Sequence, residues 1–143
     1  MDIARLIASR DPSDILTCDA AMAVRDAVGL LAGKRIGALP VMDGGRVVGI
    51  FSERDVIYRL ASEGALCLDR PVGEVMTSPA ITVDRKTRND DALGLMTKRR
   101  IRHLPVVDGE TMCGFISIGD LVKWRFDEVQ HEAEAMRDYI AHA

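Results

Sequence analysis

The sequence predicts a mixed α/β fold: two tandem half-modules, each ordered β-α-β-β-α, packed with pseudo-twofold symmetry and followed by a C-terminal helical extension. Three observations carry this expectation. The 143-residue chain repeats itself at an offset of 65 positions. Each copy holds one Asp-Gly turn between two apolar runs, which is hairpin chemistry. Each copy also holds a segment whose apolar residues recur at helical spacing.

The repeat has no gaps. Thr17 falls on Thr82, Asp26-Ala27 on Asp91-Ala92, Arg35-Ile36 on Arg100-Ile101 and Leu39-Pro40-Val41 on Leu104-Pro105-Val106. Asp43-Gly44, Gly49, Ser52 and Asp55 fall on Asp108-Gly109, Gly114, Ser117 and Asp120, and between residues 16 and 59 the two copies agree at 16 of 44 positions. The length allows one ordinary domain or two small modules. The repeat selects two half-modules sharing one core.

The elements follow in order. Ile3, Leu6 and Ile7 predict a short amphipathic helix over residues 2–9. Segments 15–18 and 80–83 are β-rich and open the two copies. Val24, Ala27, Val28 and Leu31, and then Ala92, Leu93, Leu95 and Met96, mark a helix in each. Apolar runs at 38–42 and 104–107 lead into Asp43-Gly44-Gly45 and Asp108-Gly109-Glu110, where Gly supplies the positive φ of a tight turn. The chain returns as strands over 46–52 and 111–117, then closes each copy with a helix, over 53–62 and from 118 onward. A right-handed crossover makes the first two strands of a copy parallel. One copy alone leaves a sheet face uncovered, and the second copy covers it.

Residues 64–79 read as a linker, with Gly64, Pro71, Gly73 and Pro79, and Pro71 starts a helical turn at 72–76. The last helix is expected to run to Ile140, carrying Leu121, Trp124, Val129, Ala133, Met136 and Ile140 as an apolar stripe. That stripe either packs on its own module or meets a partner subunit's helix. The expected division is a lead-in at 1–11, repeats at 12–63 and 80–126 joined by the linker, and an extension at 127–143.

Composition narrows the function. Apolar residues make 48% and charged residues 29% of the chain, which is globular. Aromatics are only 4%, so the core is aliphatic. With 19 basic against 22 acidic residues, the chain does not fit a protein whose main task is gripping nucleic acid. The basic set is mostly Arg, which suits forked recognition of anions. The length is short for a barrel enzyme, and neither a Gly-rich dinucleotide loop nor a P-loop is present. Cys18, Cys67 and Cys113 lie far apart, without zinc spacing or a secretory segment, so reduced thiols in a cytoplasmic protein are expected. No apolar run approaches the roughly 18 residues that cross a bilayer. No Ser–His–Asp, Cys–His or paired-carboxylate arrangement is defensible from spacing, so no enzyme is expected.

The chemistry concentrates at the two strand-to-helix junctions, 49–55 and 114–120. A Ser ends each strand, a helix begins at once, and an Asp stands three residues on. Backbone N–H groups and the helix dipole favour an anion there, and a carboxylate can accept hydrogen bonds from vicinal ribose hydroxyls. The pattern therefore suits a nucleotide, with phosphate at the helix start and ribose on the Asp. Ser-x-x-Asp is also close to a capping box, with Ser as N-cap and the acid folding back. The two roles can coexist. The cluster Lys98-Arg99-Arg100-Arg102-His103 is open in the same way: a solvated helix end favoured by the dipole, or phosphate contacts from Arg102 and His103. His103 alone does not make a metal site, and His131 and His142 are expected to be exposed bystanders.

With Arg-Ile-Gly-Ala-Leu-Pro-Val at 35–41, Arg-Ile-Arg-His-Leu-Pro-Val at 100–106 and both Gly-x-x-Ser-x-x-Asp ends, the chain resembles a tandem CBS-domain pair over about residues 12–126. It is similar to free-standing bacterial proteins of that family. The resemblance implies a sensor with two clefts between the half-modules that bind adenosine compounds (AMP, ADP, ATP, NAD(H) or S-adenosylmethionine), and further association into a homodimer that acts on an effector protein. It implies no required cofactor and no metal. One cleft would use Asp120 for ribose, Ser117 near phosphate and Phe115 against the base, with Leu16, Ile36 and Gly37 from the first copy. The other would use Asp55, Ser52 and Ile50, with Ile81, Ile101 and Arg102 from the second. Arg102 and His103 match the family's basic pair near the phosphates, whereas copy one has Gly37 and Ala38 there. Arg54 stands where the second copy has Gly119, so more positive charge is expected at the Asp55 cleft. A ligand-independent interaction module is the alternative, with the junctions acting only as caps.

Overall fold

Each hairpin forms where its Asp-Gly turn directs it. Strand β2 (Ala38–Asp43) pairs antiparallel with β3 (Arg46–Ser52), and β4 (His103–Asp108) with β5 (Thr111–Ser117). The registers are the same after the 65-residue shift: Leu39 faces Phe51 as Leu104 faces Ile116, and a bulge follows Val41 as one follows Val106. Gly44 (φ 60°), Gly45 (φ 81°) and Gly109 (φ 63°) take the left-handed backbone these turns need. This computed structural model describes residues 1–142.

The opening strands are shorter than expected. In the first copy β1 is only Cys18–Asp19, parallel to β2, and the sheet order is β1-β2-β3. Asp11 caps a 3₁₀ turn at Pro12–Asp14, which takes up the chain just before the expected start at residue 15. In the second copy the strand expected at 80–83 reduces to one parallel bridge, Val83 to Val106, beside the two-stranded β4-β5 sheet. Pro79 has no N–H to donate, and the Asp84 carboxylate accepts from the Lys86 and Thr87 N–H groups, turning the chain immediately after Val83.

Helices α2 (Val24–Lys34) and α5 (Asn89–Arg99) each end on an arginine in the left-handed region, Arg35 (φ 53°) and Arg100 (φ 55°). The next N–H closes the end: Ile36 donates to the Leu31 carbonyl at 3.1 Å and Ile101 to that of Met96 at 3.0 Å. This reversal sends residues 36–38 and 101–103 back toward the sheets. After each hairpin come α3 (Glu53–Glu63) and the much longer α6 (Ile118–Ala141).

The core is two clusters, not the single shared one expected. Val24, Ala27, Leu31, Leu39, Val41 and Phe51 form one; Ala92, Met96, Leu104, Val106, Ile116 and Leu121 form the other. The reason is an exchange of lead-in segments. Helix α1 (Ile3–Ile7) precedes the first copy but buries Ile3 and Ile7 in the second copy's cluster. Helix α4 (Val72–Val75) precedes the second copy but buries Val72 and Val75 in the first copy's cluster. Backbone bonds fix both: Ile3 N–H to Thr87 O at 2.9 Å, and Val72 N–H to Met22 O at 2.8 Å. Pro71 is the N-cap of α4, and a 3₁₀ segment, Gly64–Asp69, fills the linker before it. The two sheets meet through β3 and β5.

Of the C-terminal stripe, only Leu121 and Trp124 are buried in their own module. Val129, Met136 and Ile140 are exposed, together with Val122 and Phe126. Among the described residues, no helix is long and apolar enough to cross a membrane.

Candidate functional site

Both Ser-x-x-Asp junctions are complete capping boxes. Ser52 caps α3: its N–H donates to Asp55 Oδ2 at 2.9 Å, and the Asp55 N–H donates to Ser52 Oγ at 3.4 Å. Ser117 caps α6 in the same way, at 2.8 Å and 3.1 Å. The first helical N–H groups are also used, since Glu53 donates to the Gly37 carbonyl at 3.0 Å and Ile118 to that of Arg102 at 2.8 Å. These bonds hold the segment after α2 to the start of α3, and the segment after α5 to the start of α6. The acids thus keep their structural role while standing at the mouths of two cavities.

The first cavity, about 270 Å³, lies at Asp55. Ser52, Arg54, Asp55 and Ile50 line one side of it, and Ile81, Ile101, Arg102 and His103 the other. The second, about 600 Å³, lies at Asp120, with Ser117 and Phe115 from the second copy and Leu16 and Ile36 from the first. Gly37 does not line this second cavity; it faces the first. Ile36 lines the Asp120 cavity and Ala38 lines both, whereas a Cβ on Gly37 would sit 3.5 Å from Glu53 Oε1 and 3.9 Å from His103. His103 lines both cavities and stacks on Phe115, with ring centroids 5.3 Å apart and planes at 14°.

Several lining residues carried no signal in the repeat. Thr77, in the linker, donates its hydroxyl to Asp55 Oδ1 at 2.9 Å. Arg10, in the lead-in, pairs with Asp120: Nη2 lies 2.9 Å from Oδ1 and Nη1 lies 3.3 Å from Oδ2. Both come from the exchanged segments, so each capping acid is met by the lead-in of the other copy. Tyr58 and Arg100 also line the Asp55 cavity, and Asp11, Asp14 and Cys113 the Asp120 cavity.

The charges divide unequally. Arg54, Arg100 and Arg102 surround the Asp55 cavity against one carboxylate, with Arg102 also 3.6 Å from Glu53. The Asp120 cavity holds Asp11, Asp14 and Asp120 against Arg10. Partial burial alone would push the Asp120 carboxyl upward, but the Arg10 hydrogen bond and charge and the Ser117 hydrogen bonds outweigh it and hold it below the ordinary Asp value. Burial, then the charge of Arg102, pulls the His103 imidazole below its ordinary value, against weaker opposition from Asp120 and Glu53. His103 is therefore neutral at neutral pH and offers a flat ring rather than a cation. Burial, with the charge of Asp19, pushes the Cys18 thiol up to about 11. No cluster of three or more metal-ligating side chains occurs among the described residues.

The family model described as CBS domain matches residues 6–62 and 72–127. The chain is 35% identical over 130 residues to the mitochondrial CBS domain-containing protein CBSX3 of Arabidopsis thaliana, a match covering 87% of this chain but 63% of that protein. Among solved structures, it superposes on a CBS-domain containing protein from Agrobacterium tumefaciens with a TM-score of 0.81 and 34% identity, covering 87% of this chain and 99% of that one. CBSX2 in complex with AMP superposes with a TM-score of 0.74 and 25% identity, over 88% and 96% of the two chains. The CBS domain pair of protein MJ0100, in complex with 5-methylthioadenosine and S-adenosyl-L-methionine, gives 0.74 and 25%, over 87% and 98%.

Proposed function

This chain belongs to the CBS-domain family, and from that premise we propose that it is a regulatory module that binds adenosine nucleotides in its two clefts and signals by a change of shape. The observation that carries the reading is the pair of cavities, each ending at a helix N-terminus with a Ser-x-x-Asp junction and each lined from both copies. A ribose on Asp55 or Asp120 places the nucleotide's phosphates toward the helix start, where the helix dipole favours negative charge. Apolar walls, Ile50, Ile81 and Ile101 in one cleft and Leu16, Ile36 and Phe115 in the other, suit a purine face. The solved relatives holding AMP and S-adenosyl-L-methionine support an adenosine ligand. The three arginines at the Asp55 cleft favour an anionic ligand there, whereas the Asp120 cleft, with three carboxylates against Arg10, suits a ligand with few phosphates such as AMP.

Each ligand touches both half-modules, so it stabilises whichever packing of the halves closes on it, and that shift is what an effector protein reads. A second copy is the nearest partner. Val122, Phe126, Val129, Ala133, Met136 and Ile140 are exposed on α6 at alternating spacings of four and three, the spacing of a helix–helix seam. Ile57, the counterpart of Val122 in the repeat, is exposed on α3. Sedimentation equilibrium of the full chain and of a chain ending at residue 126 tests this: a dimer that becomes a monomer supports it, and an unchanged state refutes it.

Calorimetric titration of the purified chain with AMP, ATP and NADH tests the ligand reading. Saturable binding of at least one is expected. Silence with all three, and with S-adenosylmethionine, leaves the junctions as caps and the chain as a ligand-independent interaction module.

A further inference from the structure

The two capping acids have partners of different strength. Asp55 Oδ1 accepts from the neutral hydroxyl of Thr77. Asp120 is held by a charged fork: Arg10 reaches both carboxylate oxygens, and Nη1 also lies 3.4 Å from the Phe115 carbonyl, on the wall of the same cavity. Charge-assisted forks of this kind are among the stronger side-chain pairs. The remaining acceptor capacity of Asp120 goes partly to the Ser117 N–H. A ribose whose two vicinal hydroxyls both bind Asp120 must therefore compete with Arg10 for the carboxylate.

Arg10 is also the cation available to a phosphate in that cleft. The other charged side chains lining it, Asp11, Asp14 and Asp120, are acidic, and His103 is shared with the other cavity and stacked on Phe115. Arg10 is tied to the end of α1 by its own N–H, which donates to the Ile7 carbonyl at 3.0 Å, so its displaced side chain stays at the cleft mouth.

We propose that Arg10 is a specificity-determining residue of the Asp120 cleft: it competes with ribose for the carboxylate, and a 5′-phosphate recaptures the guanidinium that the ribose displaces. Adenosine breaks the Arg10–Asp120 pair without replacing it. AMP breaks it and supplies a new anion. The cleft thereby prefers AMP to adenosine through one residue outside the repeat. This rests on the nucleotide reading above and names the ligand class for one of its two sites.

The test is calorimetry with adenosine and AMP on the full chain carrying Asp55→Asn, so that the heat reports mainly the Asp120 cleft, with and without Arg10→Ala. Arg10→Gln serves as a second variant that keeps a polar side chain. The expected result is that adenosine binds more tightly without Arg10, AMP gains less or weakens, and the AMP-over-adenosine preference falls about tenfold, equivalent to roughly 1.4 kcal/mol. An unchanged preference in both Arg10 variants, with binding intact, overturns this inference alone. Binding of neither ligand by the wild-type chain or any variant overturns the nucleotide reading and this inference with it.

Discussion

Asn89 is the position where the repeat supplies its own control. It opens α5 and is fully buried, and among the described residues neither its amide oxygen nor its nitrogen finds a hydrogen-bond partner. Its counterpart 65 residues earlier is Val24, which opens α2, is also fully buried, and packs in the first copy's core. Asn89→Val replaces an unpaired buried amide by the side chain that the same position already accommodates. A buried donor or acceptor without a partner costs about 1–3 kcal/mol, and repacking of the branched side chain takes back part of the gain. A net gain of about 1–2 kcal/mol is expected. With a urea m-value of about 2 kcal/mol/M, the unfolding midpoint rises by about 0.5–1 M at unchanged slope. The reverse change, Val24→Asn, loses an apolar burial of about 1.5–3 kcal/mol and adds the amide penalty. A fall in stability for Asn89→Val, measured by urea unfolding followed by far-UV circular dichroism, would refute the reasoning, because the amide would then be contributing stability.

Three further outcomes follow from the packing and the titrations. A Cβ at Gly49 would lie 2.6 Å from Met76 Sδ and 2.8 Å from the Thr77 backbone oxygen, whereas at Gly114 its nearest neighbour would be the end of the Ile7 side chain at 3.0 Å; Gly49→Ala is expected to cost about 2 kcal/mol and Gly114→Ala about 1, and equal losses in urea unfolding contradict this. His103 has a folded-state pKa below its unfolded value of about 6.5, so the unfolded chain binds the proton first and stability falls as pH drops below about 6.5 toward the folded value. His103→Phe keeps a ring on Phe115 and removes that slope, which unfolding curves at pH 5, 6 and 7 report; a wild-type slope retained in the variant assigns it to another group. Cys18, buried and with its thiol pushed up to about 11, is expected to resist alkylation, while half-buried Cys113 in the Asp120 cleft reacts first and is protected by bound nucleotide; peptide mass mapping checks the order, and prior labelling of Cys18 contradicts it.

The hairpins, central helices and helix starts were legible because their signals are local. Asp-Gly turns, helical spacing and Ser-x-x-Asp each specify structure within a few residues, and the repeat confirmed each twice. The exchanged lead-ins were not legible. Helix α1 at Ile3–Ile7 and α4 at Val72–Val75 overlap under the shift only where Ile7 falls on Val72, so self-comparison does not pair them as elements, and nothing in Ile3 or Ile7 says which half covers them. Arg10 and Thr77 were missed for the same reason: under the shift Arg10 falls on Val75, and Thr77 falls on Pro12. Gly37 lines the Asp55 cavity and not the Asp120 one because the chain reverses at the left-handed Arg35, a turn that no glycine announces. The second copy's first strand failed where Pro79 and Asp84 bracket it. In each case a long-range or backbone effect overrode a pattern that was correct locally.

The central claim is that Asp55 and Asp120 hold the ribose of adenosine nucleotides. Alanine at either site also strips half of a capping box, at about 1 kcal/mol of stability. Asparagine retains an acceptor for the Ser N–H but loses the charge and one ribose-accepting oxygen. The most direct measurement is calorimetric titration of the full chain with AMP and ATP for wild type, Asp55→Asn, Asp120→Asn and the double variant. Charge-assisted hydrogen bonds of about 1.5–3 kcal/mol each predict at least about a tenfold loss of affinity at the altered cleft and loss of measurable binding in the double variant. A folded double variant that binds both nucleotides as tightly as wild type would contradict the account.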